Sequence, residues 1–140
     1  MDLDSELFLD AAYLIALAQP QDSHHQKALM LAANVRSKRA AIVTNRAVLL
    51  EAGSALSRTR FRAAAVQLIN SLENARSVKV LPLTEELARA GWALFCARLD
   101  KQWSWTDCIS FVTMREFHIR QALTTDEHFE QAGFVALLRH

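Results

Sequence analysis

The chain has 140 residues, 51% of them apolar, and its 16 Lys and Arg side chains nearly balance 15 Asp and Glu side chains, giving a formal charge of +1. A chain of this length is expected to form one domain, residues 1–140, that buries roughly two-thirds of the surface exposed when it is unfolded. The composition excludes a disordered chain, and the balanced charge argues against a long electrostatic interface with duplex DNA.

In the first half of the chain, short apolar runs predict strands and segments with helical spacing predict helices. The predicted order is a strand at 7–9, helices at 11–18 and 24–36, a strand at 40–44, and helices at 46–57 and 62–73. Pro20 ends the first helix, and Asp22 and Ser23 are candidate caps for the second.

The second half continues the alternation. The prediction is a strand at 78–81, helices at 84–99 and 104–117, a strand at 122–124, a helix at 126–132 and a last strand at 134–138. Strands that alternate with helices predict an α/β fold, a three-layer α/β/α sandwich around a central parallel sheet. Ligands on such sheets bind outside the carboxyl ends of the strands.

Four acidic residues stand where predicted strands end or inside helices predicted to be buried: Asp10, Glu51, Asp107 and Asp126. A carboxylate taken out of water is costly unless it is paired, and hard divalent cations are among its suitable partners. Brought together, these four side chains would bind Mg²⁺ or Mn²⁺. Such a cluster indicates phosphodiester chemistry.

Three of these acids also have a purely structural explanation. Asp10 is placed to cap the helix that follows the first strand. Asp107 lies three residues after Ser104, which is capping-box spacing, and Asp126 lies in a segment where Thr124 and Glu127 have the same spacing. Local capping explains each of these residues when it is taken alone.

Glu51 is harder to explain structurally, because a glutamate in the middle of a helix has no free terminal amides to bind. Helical projection puts it between Ala47 and Ala55, in an apolar arc. An ion pair with Arg58, seven residues later on nearly the same side, is the alternative. The chain has no P-loop or dinucleotide-binding glycine motif, and Ala12 stands where a D-x-D phosphatase would need its second acid.

Four segments resemble the PIN-domain family, most closely its VapC-like toxin ribonucleases, across nearly the whole chain. The segments are FLDAAYLIAL at 8–17, NRAVLLE at 45–51, WSWTDCIS at 103–110 and ALTTDEHF at 122–129. The resemblance implies a three-layer α/β/α sandwich and a Mg²⁺- or Mn²⁺-dependent endoribonuclease. It also implies an RNA substrate and, for the toxin branch, a small antitoxin protein as partner.

The resemblance also assigns roles to the acids, as catalytic residues and metal ligands. Asp10 matches the acid that ends the first strand, Glu51 the helical glutamate, Asp107 the acid of the S-x-T-D segment and Asp126 the acid after the fourth strand. The chain departs from the family at 11 and 12, where alanines replace a Thr or Ser and a Ser or Asn. The alternative to an active enzyme is therefore a catalytically weakened PIN-fold domain that binds RNA or a protein partner.

Arg58, Arg60 and Arg62 form the densest basic group and could contact an RNA backbone, or they could be a solvated helix junction. His118 and His128 lie in no motif that suggests catalysis.

The early helices carry apolar side chains that one small core would not necessarily bury, namely Tyr13, Leu14, Leu17, Leu29 and Met30. They predict a homodimer face or an antitoxin groove, with core packing as the alternative.

Two features bear on location. Cys96 and Cys108 lack CxxC spacing and lie in apolar helical runs, so we expect reduced thiols in the core. No apolar run reaches the ~18 residues of a membrane span, and the N-terminus is acidic. A cytoplasmic protein without a membrane segment is expected.

Overall fold

The computed structural model describes residues 2–140. Its strands are β1 (Glu6–Leu9), β2 (Ala41–Asn45), β3 (Val78–Leu81), β4 (Gln121–Leu123) and β5 (Val135–Ala136). Its helices are α1 (Ala11–Ala18), α2 (His25–Lys38), α3 (Arg46–Ala55), α4 (Thr59–Asn74), α5 (Glu85–Ala97), α6 (Trp105–Glu116) and α7 (Glu127–Gln131), followed by a short 3₁₀ helix at Leu137–Arg139.

All five strands are parallel and lie in the order β3-β2-β1-β4-β5. The chain moves from β1 outward through β2 to β3, then crosses back to β4 and β5. Because crossover connections between parallel strands are right-handed, this reversal puts α1–α4 on one face of the sheet and α5–α7 on the other. The three-layer α/β/α sandwich predicted from the sequence is confirmed.

The central strand β1 is buried on both faces, which explains its unbroken apolar sequence. Leu7, Phe8 and Leu9 are almost completely inaccessible to solvent. On the α6–α7 side, Phe111 packs edge-on against Phe129, with ring centroids 4.9 Å apart. This aromatic packing fixes α6 and α7 against the sheet, and these two helices position two of the four acids, Asp107 and Asp126.

The end of the chain differs from the prediction. A strand was expected at 134–138, but β5 has two residues and the chain then turns into the 3₁₀ helix. The partner strand β4 has only three residues, so there is little edge for a longer strand to pair with. Leu137 and Leu138 are buried all the same, and the backbone N–H of Leu138 donates to the carbonyl of Thr124.

Of the apolar residues singled out in the early helices, Tyr13 and Leu14 belong to the core and Leu17 packs against it. Only Leu29 and Met30 remain exposed, at 44% and 68%. The prediction of an interaction face in these helices therefore rests on those two residues. Among residues 2–140, no helix combines the length and apolar character needed to cross a membrane.

Candidate active site

The candidate site lies where the strand order reverses. Asp10 follows β1 and Asp126 follows β4, the two neighbouring strands whose connections leave in opposite directions. The backbone N–H of Asp10 donates to the carbonyl of Leu123 at 3.2 Å, which fixes the ends of these strands side by side. Reversal points of this kind form a crevice at the carboxyl edge of a parallel sheet.

Asp10 is only 6% exposed, and its side chain makes no capping hydrogen bond to α1. Its pKa is raised to about 7, mainly by burial and to a smaller extent by the charges of Asp107 and Glu51. The hydrogen bond from Thr124 acts in the opposite direction. The capping role that sequence alone allowed for the Asp10 side chain is therefore wrong.

Thr124 joins two of the acids. Its buried hydroxyl donates to Asp10 Oδ2 at 2.7 Å and accepts a hydrogen bond from the backbone N–H of Asp126 at 3.0 Å. One hydroxyl thus orients the first acid and fixes the backbone at the fourth. The capping partnership predicted between Thr124 and Glu127 is replaced by this bridge, and Asp126 caps α7 instead.

Asp107 sits in the capping box that its spacing predicted. Its Oδ2 accepts from the backbone N–H of Ser104 at 3.0 Å, and its own N–H donates to Ser104 Oγ at 2.9 Å. Desolvation nevertheless raises the Asp107 pKa, and the nearby charge of Asp126 adds to the rise, while the hydrogen bonds from Ser104 and His128 lower it. The capping hydrogen bond alone does not offset the free-energy cost of burying the ionised Asp107 side chain.

Asp126 and His128 complete this side of the site. Asp126 Oδ1 accepts from the backbone N–H of His128 at 2.8 Å. The ring of His128 turns toward α6, with Nδ1 3.1 Å from Asp107 Oδ2 and 3.4 Å from Asp126 Oδ1. One ligand atom each from Asp107, Asp126 and His128 lie within 4.8 Å of one another.

Glu51 is exposed rather than buried, so the prediction of a buried helical glutamate is wrong. It faces the cleft on the side of α3 that contacts α6. Neighbouring protein atoms exclude part of the water around its carboxylate. That partial desolvation is the largest cause that raises the pKa of Glu51, and the charges of Asp107 and Asp126 raise it as well. Among residues 2–140 it makes no ion pair with Arg58, so the structural alternative for Glu51 fails.

The four acids thus act on one another electrostatically without a lysine or arginine among them. In the part of the chain that the structure describes, His128 is the one basic side chain within ion-pair distance of any of the four. Burial, and after it the charges of the neighbouring acids, keep the pKa values of Asp10, Glu51 and Asp107 raised. A divalent cation would relieve both effects, and carboxylate oxygens are the donors that Mg²⁺ and Mn²⁺ prefer. The residues present fit such an ion.

A further buried polar group lies at the same edge of the sheet. Asn45 ends β2, the neighbour of β1, and its Oδ1 caps α3 by accepting from the N–H of Val48. Its Nδ2 is buried and, among residues 2–140, has no hydrogen-bond acceptor. An amide donor left without an acceptor beside an acidic cluster is consistent with a site that takes water or an anionic group.

The basic group lies apart from the acids. Arg58 precedes α4, and Arg60 and Arg62 are in its first turn, beyond the far end of α3. All three are exposed, and Arg60 lies over the ring of Phe61 with its guanidinium carbon 4.8 Å from the centroid. Arg60 and Phe61 also line a cavity of about 500 Å³ at the end of α1. The structure leaves their role in RNA binding as a prediction.

Sequence reasoning missed the contacts that Thr124 and His128 make with the acids. Both residues lie within a segment that carried the resemblance, at 122–129, but their partners are more than twenty residues away in the chain. The available signal was their closeness to Asp126. Spacing alone could not show that Thr124 reaches back to Asp10 or that the His128 ring turns toward α6.

With this geometry in place, comparison with known proteins identifies the class. The pattern of the PIN-domain family matches residues 7–135, and the chain belongs to that family. Its curated relatives include the 23S rRNA-specific endonuclease VapC20 from two strains of Mycobacterium tuberculosis, each 30% identical over 129 residues, covering 92% of this chain and 95% of the relative. The crystal structure of M. tuberculosis VapC20, described as a Sarcin-Ricin loop cleaving toxin, superposes with a TM-score of 0.82 at 29% identity, over 92% of this chain and 96% of that one. Within the family, the chain is a VapC-like toxin ribonuclease.

Proposed function

We propose that this protein is a divalent-metal-dependent endoribonuclease whose active site is built from Asp10, Glu51, Asp107 and Asp126. The observation that carries the proposal is the convergence of these acids, from four separate segments, at the strand-order reversal, with raised pKa values on three of them. No lysine or arginine among residues 2–140 neutralises them. Because these side chains repel one another without a compensating Lys or Arg, we infer that a bound cation compensates their charge.

In this proposal each residue has a defined task. Asp10, Asp107 and Asp126 hold Mg²⁺ or Mn²⁺ directly or through water, and Glu51, exposed in the cleft, serves as a ligand or positions a water molecule. When bound, the cation polarises the scissile phosphate and lowers the pKa of the attacking water. Thr124 keeps the carboxylate of Asp10 in one orientation. In-line displacement leaves a 5′-phosphate and a 3′-hydroxyl.

The substrate is RNA, and the relatives suggest which kind. VapC20 is named for cleavage of 23S rRNA and of the Sarcin-Ricin loop. We extend to this chain an activity on exposed RNA loops, whose unpaired nucleotides are accessible to a shallow cleft. Arg58, Arg60 and Arg62 contact the RNA backbone away from the scissile phosphate.

A small antitoxin and a second copy of the chain are the proposed protein partners, and the cytoplasm is the proposed compartment. Beside Glu51 lies an apolar cavity of about 330 Å³, lined by Leu50, Leu83, Trp105 and Ile109 among others. Leu50 and Trp105 are 58% and 46% exposed. An antitoxin segment seated there would cover the approach to Glu51 and block RNA.

The alternative, a catalytically weakened domain, was suggested by Ala11 and Ala12. The structure weakens its basis, because Thr124 gives Asp10 the hydroxyl donor that the following residues lack. The carboxylate is therefore held by a hydrogen bond from elsewhere in the chain, and the proposal favours an active enzyme.

The deciding experiment compares the wild type with Asp10→Asn and Glu51→Gln. Neither side chain caps a helix, so the fold is expected to be preserved. Mn²⁺ binding is measured by calorimetry on protein freed of metal with EDTA, and cleavage of a 23S rRNA stem-loop is measured with and without Mn²⁺. We expect Mn²⁺-dependent cleavage by the wild type and its loss in both variants, with weaker Mn²⁺ binding by Asp10→Asn. Undiminished cleavage by both variants would exclude the proposed site.

A further inference from the structure

His128 occupies an unusual position for a residue in no recognised motif. It is in the first turn of α7, yet its ring points at the acid of another helix, Asp107 of α6, with Nδ1 3.1 Å from Oδ2. The same Nδ1 is 3.4 Å from Asp126 Oδ1. The side chain is 24% exposed, so both contacts are shielded from much of the solvent.

The backbone of His128 also contacts one of these two acids. Its N–H donates to Asp126 Oδ1 at 2.8 Å, and Asp126 is thereby fixed as the cap of α7. The ring then spans from α7 to the first turn of α6. No other side chain among residues 2–140 contacts both Asp107 and Asp126 in this way.

The contacts assign a role to one ring nitrogen. An ionised carboxylate can only accept hydrogen bonds, so in the tautomer that bonds to Asp107 the donor is Nδ1. A ring nitrogen that carries a hydrogen has no free electron pair for a metal ion. Through Nδ1, His128 therefore acts as a hydrogen-bond donor to the carboxylates.

We propose that His128 is a positioning residue that holds the carboxylates of Asp107 and Asp126 at a spacing suited to sharing one divalent cation. The inference rests on the metal-dependent function proposed above. Two carboxylates that share a site repel one another. One backbone N–H holds each of them, and the ring of His128 adds a donor between the two. Removing a donor that orients metal-binding groups commonly weakens metal affinity or activity ~10–100-fold.

The test uses three substitutions that differ in where they place a donor. His128→Asn carries its amide nitrogen the same number of bonds from Cα as Nδ1, His128→Gln carries it one bond further, and His128→Leu has no donor. We expect the leucine and glutamine variants to bind Mn²⁺ about 10–100-fold more weakly than the wild type. We expect the asparagine variant to stay close to wild-type affinity.

Calorimetric Mn²⁺ titration of the full chain is the main measurement, and thermal unfolding confirms that each variant is folded. His118→Asn is the matched control, because His118 is exposed, has φ 57° and makes none of these contacts. Asparagine tolerates that backbone conformation, so the Mn²⁺ affinity of the His118→Asn protein should equal that of the wild type. If the leucine variant does not fold, the contrast between asparagine and glutamine carries the test.

Pulsed electron paramagnetic resonance of bound Mn²⁺ separates positioning from ligation. A strong nitrogen coupling present in the wild type and lost in His128→Asn would show direct ligation and overturn the inference. Equal Mn²⁺ affinity in the wild type, leucine and glutamine proteins would also overturn it, while leaving the metal site intact. If the wild type itself binds no Mn²⁺, the proposed function fails and this inference fails with it.

Discussion

The hydroxyl of Thr124 donates a hydrogen bond to Asp10 Oδ2 across 2.7 Å, joining residues 114 positions apart in the chain. Because Thr124 follows β4 directly and Asp10 follows β1, the pairing of these two strands brings the groups together. Ala11 and Ala12 offer Asp10 no side-chain donor. The sheet therefore supplies from a neighbouring strand what the following residues do not.

Replacing Thr124 by valine, which has nearly the same shape, should impair the site. The hydrogen bond lowers the Asp10 pKa, so its loss should raise that pKa further and favour the protonated form. We expect Mn²⁺ affinity and cleavage to fall ~10–100-fold, and stability to fall by about 1–3 kcal/mol because the N–H of Asp126 also loses its acceptor. Thr124→Ser, which keeps the hydroxyl, should restore both. Equal Mn²⁺ binding by the valine and serine variants would contradict the prediction.

The raised pKa of Asp10 predicts a stability that depends on pH in the absence of metal. The pKa is about 7 in the folded protein and 3.8 ordinarily, so the folded state holds the proton more tightly. The stabilisation from this group is complete below about pH 4 and is lost as the pH rises through about 7. Asp10→Asn removes this dependence, so in EDTA the variant should exceed the wild type in stability at about pH 8, by on the order of a few kcal/mol.

Urea unfolding in EDTA at a series of pH values from about 5 to about 8 measures the effect. A smaller residual slope should remain in Asp10→Asn, since the pKa values of Glu51 and Asp107 are raised in the same direction. Adding Mn²⁺ at the upper end should stabilise the wild type and leave the variant nearly unchanged. Parallel pH profiles for the two proteins would refute the prediction.

The basic group should contribute to RNA affinity rather than to chemistry. Arg58→Gln, Arg60→Gln and Arg62→Gln combined should weaken RNA binding and reduce its salt dependence, by about 0.7 in the logarithmic slope for each lost phosphate contact on single strands. Cleavage at saturating RNA should be unchanged because the group lies beyond α3, away from the acids. Arg76→Gln, also exposed, is the control. An unaltered salt slope in the triple variant would assign these arginines to a solvated helix junction.

Two glycines in helices should respond in opposite ways to alanine. A Cβ on Gly91 would lie 2.5 Å from Ile109 Cγ1 and 3.0 Å from the Ile109 backbone nitrogen, so α5 approaches α6 too closely for a side chain. Gly91→Ala should lower the free energy of unfolding by about 1–3 kcal/mol. At Gly53 the nearest atom is Ile69 Cδ1 at 3.9 Å, an ordinary contact, so Gly53→Ala should stabilise by about 0.5–1 kcal/mol. Chemical denaturation measures both, and destabilisation by both would contradict the packing.

Most of the architecture could be predicted because strands buried on both faces have continuous apolar sequences. Helices can be recognised by apolar residues at helical spacing and by capping residues at their ends. Ser104 and Asp107 form the expected capping box, and Asn45, directly before the predicted helix, caps α3. The last strand could not be predicted in length, since apolar residues in a 3₁₀ turn packed on the core look the same as residues in a strand.

The interior of the site was less accessible to sequence reasoning. Helical projection placed Glu51 correctly on the side facing neighbouring elements, but projection cannot distinguish a core from an open cleft. The structure shows the cleft, and Glu51 is exposed there. The contacts of Thr124 with Asp10 and of His128 with Asp107 could not be predicted, because a hydrogen bond across strands or helices corresponds to no period and no fixed spacing in the sequence.

The capping duties of Asp107 and Asp126 have a practical consequence for inactive forms of this protein. Each of these side chains accepts a backbone N–H at the start of a helix, so an alanine in its place would remove a helix cap as well as the charge. A harmless decoy for co-expression or for trapping uncut RNA should therefore carry its change at Asp10 or Glu51. There the charge is removed and no helix cap is lost with it.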